Sequence, residues 1–143
     1  MFPSLLTADA TFNACWTHLR QPQRSAAEDR LMLTLAHTSR ALWEGQGGAR
    51  EAALGDWQIS RCYAVLGHGA LAVSFAQSAL HLAETTPLDA FMVATAHEAM
   101  ARALRVTGDP AAATHLARAR ALTDLLEDPE DREVMLADLA DHL

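Results

Sequence analysis

The few β-branched residues of the chain never alternate over a strand's length, while alanine, leucine, arginine and glutamate dominate throughout. This pattern predicts an all-α protein. The breaks between helical stretches carry readable turn chemistry. A first helix is expected over residues 9–20, stopping before Pro22, whose ring disfavours helical geometry in the residue before it. A second begins at Ser25, where Ser25 and Glu28 have the spacing of a capping box, and runs to residue 43 or 44. Gly45, Gly47 and Gly48 are then expected to supply positive φ and turn the chain back. A third helix is predicted over 50–66, a tight turn at Gly67-His68-Gly69, and a fourth helix over 70–84. Thr86 is read as a cap, with Pro87 at the first helical position and Asp89 adding charge where the dipole favours it. The fifth helix then covers 87–107 and ends at Gly108. Asp109-Pro110 repeats this start for a sixth helix to 126, and Asp128-Pro129 for a seventh to 141. Short connections make neighbouring helices antiparallel.

Gly67 and Gly108 stand 41 residues apart, each between a long helix and an alanine-rich one. Setting both at a turn matches Ser60 with Ala101, Tyr63 with Leu104 and Ala72 with Ala113. Ala72, Ala76, Ala79 and Ala83 lie on one helical stripe, which permits close helix approach. In the second unit Ala113, Leu116 and Ala117 take the corresponding stretch, and Arg120 stands opposite Ala79.

With a small residue, an aromatic, a turn glycine and small residues in the following helix, these units resemble tetratricopeptide repeats. The match covers about residues 56–122, at a period longer than the usual ~34. The whole chain, with its Asn-Ala-Cys-Trp and Ala-His-Glu-Ala stretches, also resembles small bacterial tetratricopeptide-like proteins, which implies a fold and no activity. The expected architecture is a right-handed array of antiparallel helical hairpins, about seven helices in one domain spanning 1–143. Residues 9–48 form a degenerate amino-terminal hairpin, 50–84 and 87–126 two repeat-like units, and 128–143 a carboxyl-terminal capping helix.

A length of 143 residues suits one domain that buries about 68–70% of its unfolded surface. All 11 basic residues are arginine, against 18 acids, giving a net charge of −7. With no lysine there is no Walker-type phosphate loop, lysine Schiff base or kinase-type ATP lysine. The acidic balance argues against nucleic acid as a partner. Thirty alanines with a single asparagine and a single isoleucine reflect a GC-rich, bacterial coding bias. Cys15 and Cys62 are expected reduced, the amino terminus lacks the basic start of a signal peptide, and no apolar run reaches the ~18 residues of a membrane span. A cytoplasmic protein is expected, without membrane association.

Seven histidines invite a metal reading, but His97-Glu98 is followed by Ala101 where a zinc-protease helix carries its second histidine. Cys15 and His18 supply half a site, and no second half follows, so neither metal nor cofactor is expected. No serine sits on a glycine-flanked elbow. Six acids between Asp124 and Glu133 read as a solvated cap and lack the glycine of a calcium loop.

The repeat resemblance implies a concave wall lined by the first helix of each hairpin, here Trp57 and Arg61 in one unit and Glu98, Arg102 and Arg105 in the next. Glu98 and Arg102 can pair at i, i+4, while Arg61 and Arg105 have no such acid following them and are freer to meet a carboxylate or phosphate. The expected function is a non-enzymatic module that holds an acidic protein segment in this groove. One alternative is a homo-oligomeric scaffold joined through residues 1–6 or through Leu136, Leu139 and Leu143. Another is an enzyme or small-molecule sensor in which Cys15, His18, His37, His97 and Glu98 converge on a pocket.

Overall fold

The structure, a computed structural model, describes residues 7–142. Within them the chain is helical and without strands: α1 (Ala8–Leu19), α2 (Ala26–Gln46), α3 (Ala49–Val65), α4 (Gly69–Thr85), α5 (Ala90–Thr107), α6 (Ala112–Asp124) and α7 (Pro129–Ala140). Each helix packs on the next, and the odd-numbered helices also pack on one another in the series α1, α3, α5, α7. The outcome is a two-layer array, with the odd-numbered helices as a continuous inner layer and α2, α4 and α6 laid against it.

Local chemistry explains most boundaries. Ser25 and Glu28 form the expected capping box at the start of α2. Asp128 caps α7 by accepting from the Glu130 and Asp131 amides, with Pro129 at the first helical position. Gly67 and Gly108 take positive φ, +80° and +74°, where the chain leaves α3 and α5. The glycines at 45–48 do not do so: α2 continues to Gln46, and Gly47 is near-extended at φ −108°.

Two helix starts fall later than the sequence predicts. Asp89, rather than Thr86, caps α5, because its Oδ1 accepts from the Met92 amide at 3.0 Å while the Thr86 hydroxyl bonds back to the Leu82 carbonyl and closes α4. Asp109 accepts from the Ala111 amide at 2.9 Å and forms a turn, so α6 begins only at Ala112.

The core is built largely from alanine. Ala72, Ala76, Ala79 and Ala83 of α4 are buried against Trp57, Met92, Ala96, Met100 and Leu104, as the small-residue stripe predicts. Ser60, also buried, donates to the Ala72 carbonyl at 2.7 Å and ties the two helices of that hairpin together. On α6 the predicted stripe is corrected. Ala113 and Ala117 are exposed, and the inward positions are 112, 116, 119 and 123, offset by 40 residues from 72, 76, 79 and 83. Counted from the turn glycine, the first inward position comes one residue sooner on α6 (Gly108 to Ala112) than on α4 (Gly67 to Ala72), which leaves Arg120 on the surface and puts Ala119 in the small-residue place. The same offset in the other direction reaches Met32, Ala36, Ser39 and Trp43 on α2, all buried or half-buried. Leu139 lies buried with Met135 against Ala94, Ala119 and Leu122, which removes it from any surface between copies; residues 1–6 and Leu143 lie outside the described residues.

Candidate functional site

The inner layer carries a cleft of about 460 Å³ lined by Trp16, Leu19 and Arg20 of α1, Arg61, Ala64 and Val65 of α3, Arg102, Arg105 and Val106 of α5, and Asp141 beyond α7. Three of the five residues expected on a concave wall, Arg61, Arg102 and Arg105, line it. The other two do not. Trp57 is only 7% exposed and packs on Trp16 at 5.4 Å between ring centroids. Glu98 is fully buried beneath the cleft, so the expected Glu98–Arg102 pair is an interior one.

Trp16 and Arg20 are two of the lining residues that the repeat resemblance did not reach. Both follow from the spacing already in the sequence, because tryptophan at 16 and 57 and arginine at 20, 61 and 102 recur at 41 residues. The helices carrying them are adjacent in the inner layer, so that spacing becomes a row of guanidinium groups along one wall. Arg20 and Arg61 both lie near the Trp16 ring, at 5.4 and 5.7 Å from its centroid, and an aromatic face there attracts the cations while leaving their donors available.

Arg61 and Arg102 are already engaged. Arg61 Nη1 donates to Asp138 Oδ1 at 3.2 Å and Nη2 lies 3.6 Å from Asp141 Oδ2. Arg102 pairs with Glu98 and reaches Asp141 Oδ2 at 3.1 Å. The expectation that Arg61 is free is thereby corrected: its acid comes from α7, which same-helix spacing cannot reveal. Arg105 has no carboxylate partner among the described residues and donates to the Asp141 carbonyl at 3.2 Å. Arg20 joins no ion pair among the described residues.

Beneath the arginines, His142 Nε2 lies 3.0 Å from Glu98 Oε1, and Arg105 Nη1 lies 3.4 Å from His142 Nδ1. A single tautomer, with its hydrogen on Nε2, satisfies both contacts. Burial pushes the Glu98 carboxyl upward, but the hydrogen bond from His142 and the charges of Arg102 and Arg61 outweigh it and hold the group below the usual carboxylate value. Burial also lowers Arg102, and the neighbouring charge of Glu98 more than restores it. Asp138 shows the opposite balance: burial raises it, Glu98 adds to the rise, and Arg61 only partly offsets both.

The residues considered for a catalytic or sensor pocket have separate surroundings. Cys15 and Cys62 are free thiols in contact at 3.5 Å between α1 and α3, and the Cys15 contact together with burial pushes the Cys62 thiol upward. His18 pairs with Gln21, His37 with the Tyr63 hydroxyl at 3.0 Å, and His97 with His115 at 3.0 Å. Among the described residues no three histidine, cysteine, aspartate or glutamate side chains are grouped to hold a metal ion, and no helix is long and apolar enough to cross a membrane. No family model, curated protein or solved structure matches this chain.

Proposed function

We propose that the protein is a tetratricopeptide-like binding module, rather than an enzyme, and that it holds an acidic segment of a partner protein in the arginine cleft. The observation that carries this reading is that four guanidinium groups, from Arg20, Arg61, Arg102 and Arg105, surround a cleft in which Asp141 is the single acid among the described residues, in a chain of net charge −7. Leu19, Ala64, Val65 and Val106 supply apolar surface between them. Such a lining suits an amphipathic segment, whose carboxylates meet Arg20 and Arg105 while its apolar side chains cover the cleft floor.

The test is fluorescence polarisation with a labelled acidic amphipathic peptide, comparing the wild type with an Arg20→Glu, Arg105→Glu double variant of equal helicity. Binding that falls about ten-fold or more in the variant and weakens with added salt supports the reading. Equal binding by both proteins, or equal binding of a basic peptide, contradicts it.

A second reading, self-association, is favoured by exposed Val134 and Leu136 on α7 and Leu125 in the connection before it. Sedimentation velocity separates the two, since a chain that remains monomeric at high concentration retains only the first.

A further inference from the structure

Acids at the carboxyl end of a helix oppose its dipole, whose negative pole lies there. The carboxyl end of α7 nonetheless carries Asp138 and Asp141, and no basic residue occupies its last turn. The groups that stabilise this turn come from other helices. Arg61 holds Asp138 and Arg102 holds Asp141, and the same two arginines with Arg105 crowd the helix end. Arg102 also reaches the Asp138 carbonyl at 3.4 Å and Arg105 the Asp141 carbonyl at 3.2 Å, so the cleft supplies partners to carbonyls at an end that a helix leaves poorly satisfied. The rest of α7 is anchored by Met135, with Val134 and Leu136 exposed, and within the last turn Leu139 is buried beside Met135 while the His142 side chain is buried against Glu98. Apart from Leu139 and His142, this end of α7 is held by the arginines, whose own helices are fixed by the alanine core.

We propose that residues 138–142 are a displaceable internal ligand of the cleft, standing in for the carboxyl-terminal turn of an acidic partner helix that presents two carboxylates one turn apart. The inference rests on the acidic-segment reading above and specifies both the partner and the control. Asp138 and Asp141 are three residues apart, which on a helix places both carboxylates on one face. A partner turn of the same pattern takes over Arg61 and Arg102 and adds Arg20, which joins no ion pair among the described residues, and α7 loses its last turn as the partner docks.

The test uses the full chain and a fluorescein-labelled helical peptide ending in Asp-Leu-Ala-Asp, with an otherwise identical peptide carrying Asn in place of both Asp. The Asp138→Asn, Asp141→Asn double variant is expected to bind the acidic peptide about ten-fold more tightly than the wild type. The Asn peptide is expected to lose binding to both. Because removing two acids strengthens the cleft's positive field by itself, hydrogen exchange supplies the second readout: the acidic peptide should accelerate exchange of the α7 amides in the wild type. Equal affinity of variant and wild type, or α7 exchange unchanged by bound peptide, overturns the internal-ligand role and leaves the cleft as an acid-binding site. Failure of the acidic peptide to bind either protein, or equal binding of the Asn peptide, overturns both readings.

Discussion

The two ends of the inner layer's charge arrangement are held in different ways. The arginines stand on α3 and α5, whose other faces are packed against the alanine stripe of α4 and, for α5, against α6 and α7 as well. The carboxylates that meet them stand on and just beyond α7, which contributes two buried side chains, Met135 and Leu139, to a small cluster. The same ion pairs thus join a rigid cation array to a lightly anchored anion carrier. Charge placement and mechanical anchoring are separable, and on the proposed function binding falls to the first region and adjustment to the second.

The largest effect should come from the rigid side. Ile59, fully buried with Cys15, Met32 and Cys62, joins α1, α2 and α3. Ile59→Ala is expected to lower global stability by about 2–5 kcal/mol in chemical denaturation. Leu139→Ala should instead accelerate hydrogen exchange in α7 while leaving exchange in α3 and α5 near its wild-type rate. If Leu139→Ala destabilises every helix to the same extent, the two regions are one cooperative unit and the contrast fails.

The buried carboxylate joining the regions comes next. Glu98→Ala leaves Arg102 half-paired and removes the acceptor of His142, and a loss of about 2–3 kcal/mol is expected, below the full value for an isolated buried pair because Asp141 still meets Arg102. Its pH signature has a definite sign. The folded carboxyl lies below its unfolded value, so its stabilisation is present above the ordinary glutamate range and is lost as pH falls through the folded value. A Glu98→Gln variant should lose less stability than the wild type on acidification, and an unchanged acid limb would contradict this assignment.

Between these regions in size is a histidine effect away from the cleft. Burial lowers His97, with the nearby His115 charge lowering it further, and burial also lowers His37 against the opposing charge of Asp56. For both, the unfolded chain takes up the proton first, so stability is full above about pH 6.5 and declines as pH falls toward the folded values. A thermal melt series should show a lower melting temperature at pH 5 than at pH 8, flattened in a His97→Gln, His37→Gln variant. The smallest stability effect is expected for Arg20→Glu, within about 0.5 kcal/mol, because Arg20 is exposed and joins no ion pair among the described residues.

The sequence made the α3–α4 hairpin legible because local signals agreed: four alanines on one stripe, a small residue at Ser60 that hydrogen-bonds across to Ala72, and a glycine with positive φ at 67. The start of α5 was not legible in the same way, since Thr86 and Asp89 are both competent caps and only packing decides which helix the intervening turn belongs to. The one-residue offset of α6 arises after Gly108, where an Asp109 turn replaces the direct start of α4, and a single spacing between glycines is blind to it. At the site, repeat spacing located Arg61, Arg102 and Arg105, and extending it one unit earlier reaches Trp16 and Arg20. The depth of Trp57 and Glu98 was hidden because the groups that cover them, Trp16 and His142, are 41 and 44 residues distant in sequence.

The most direct measurement is a nitrogen-edited NMR spectrum of the arginine side chains during titration with an acidic helical peptide. The guanidinium signals of Arg20, Arg61, Arg102 and Arg105 should move together and saturate together, while Arg40, held by Asp56 between α2 and α3, stays in place. Cleft signals that do not respond, or an Arg40 signal that moves as far as theirs, would contradict the assignment of the cleft as the site where this protein meets an acidic partner.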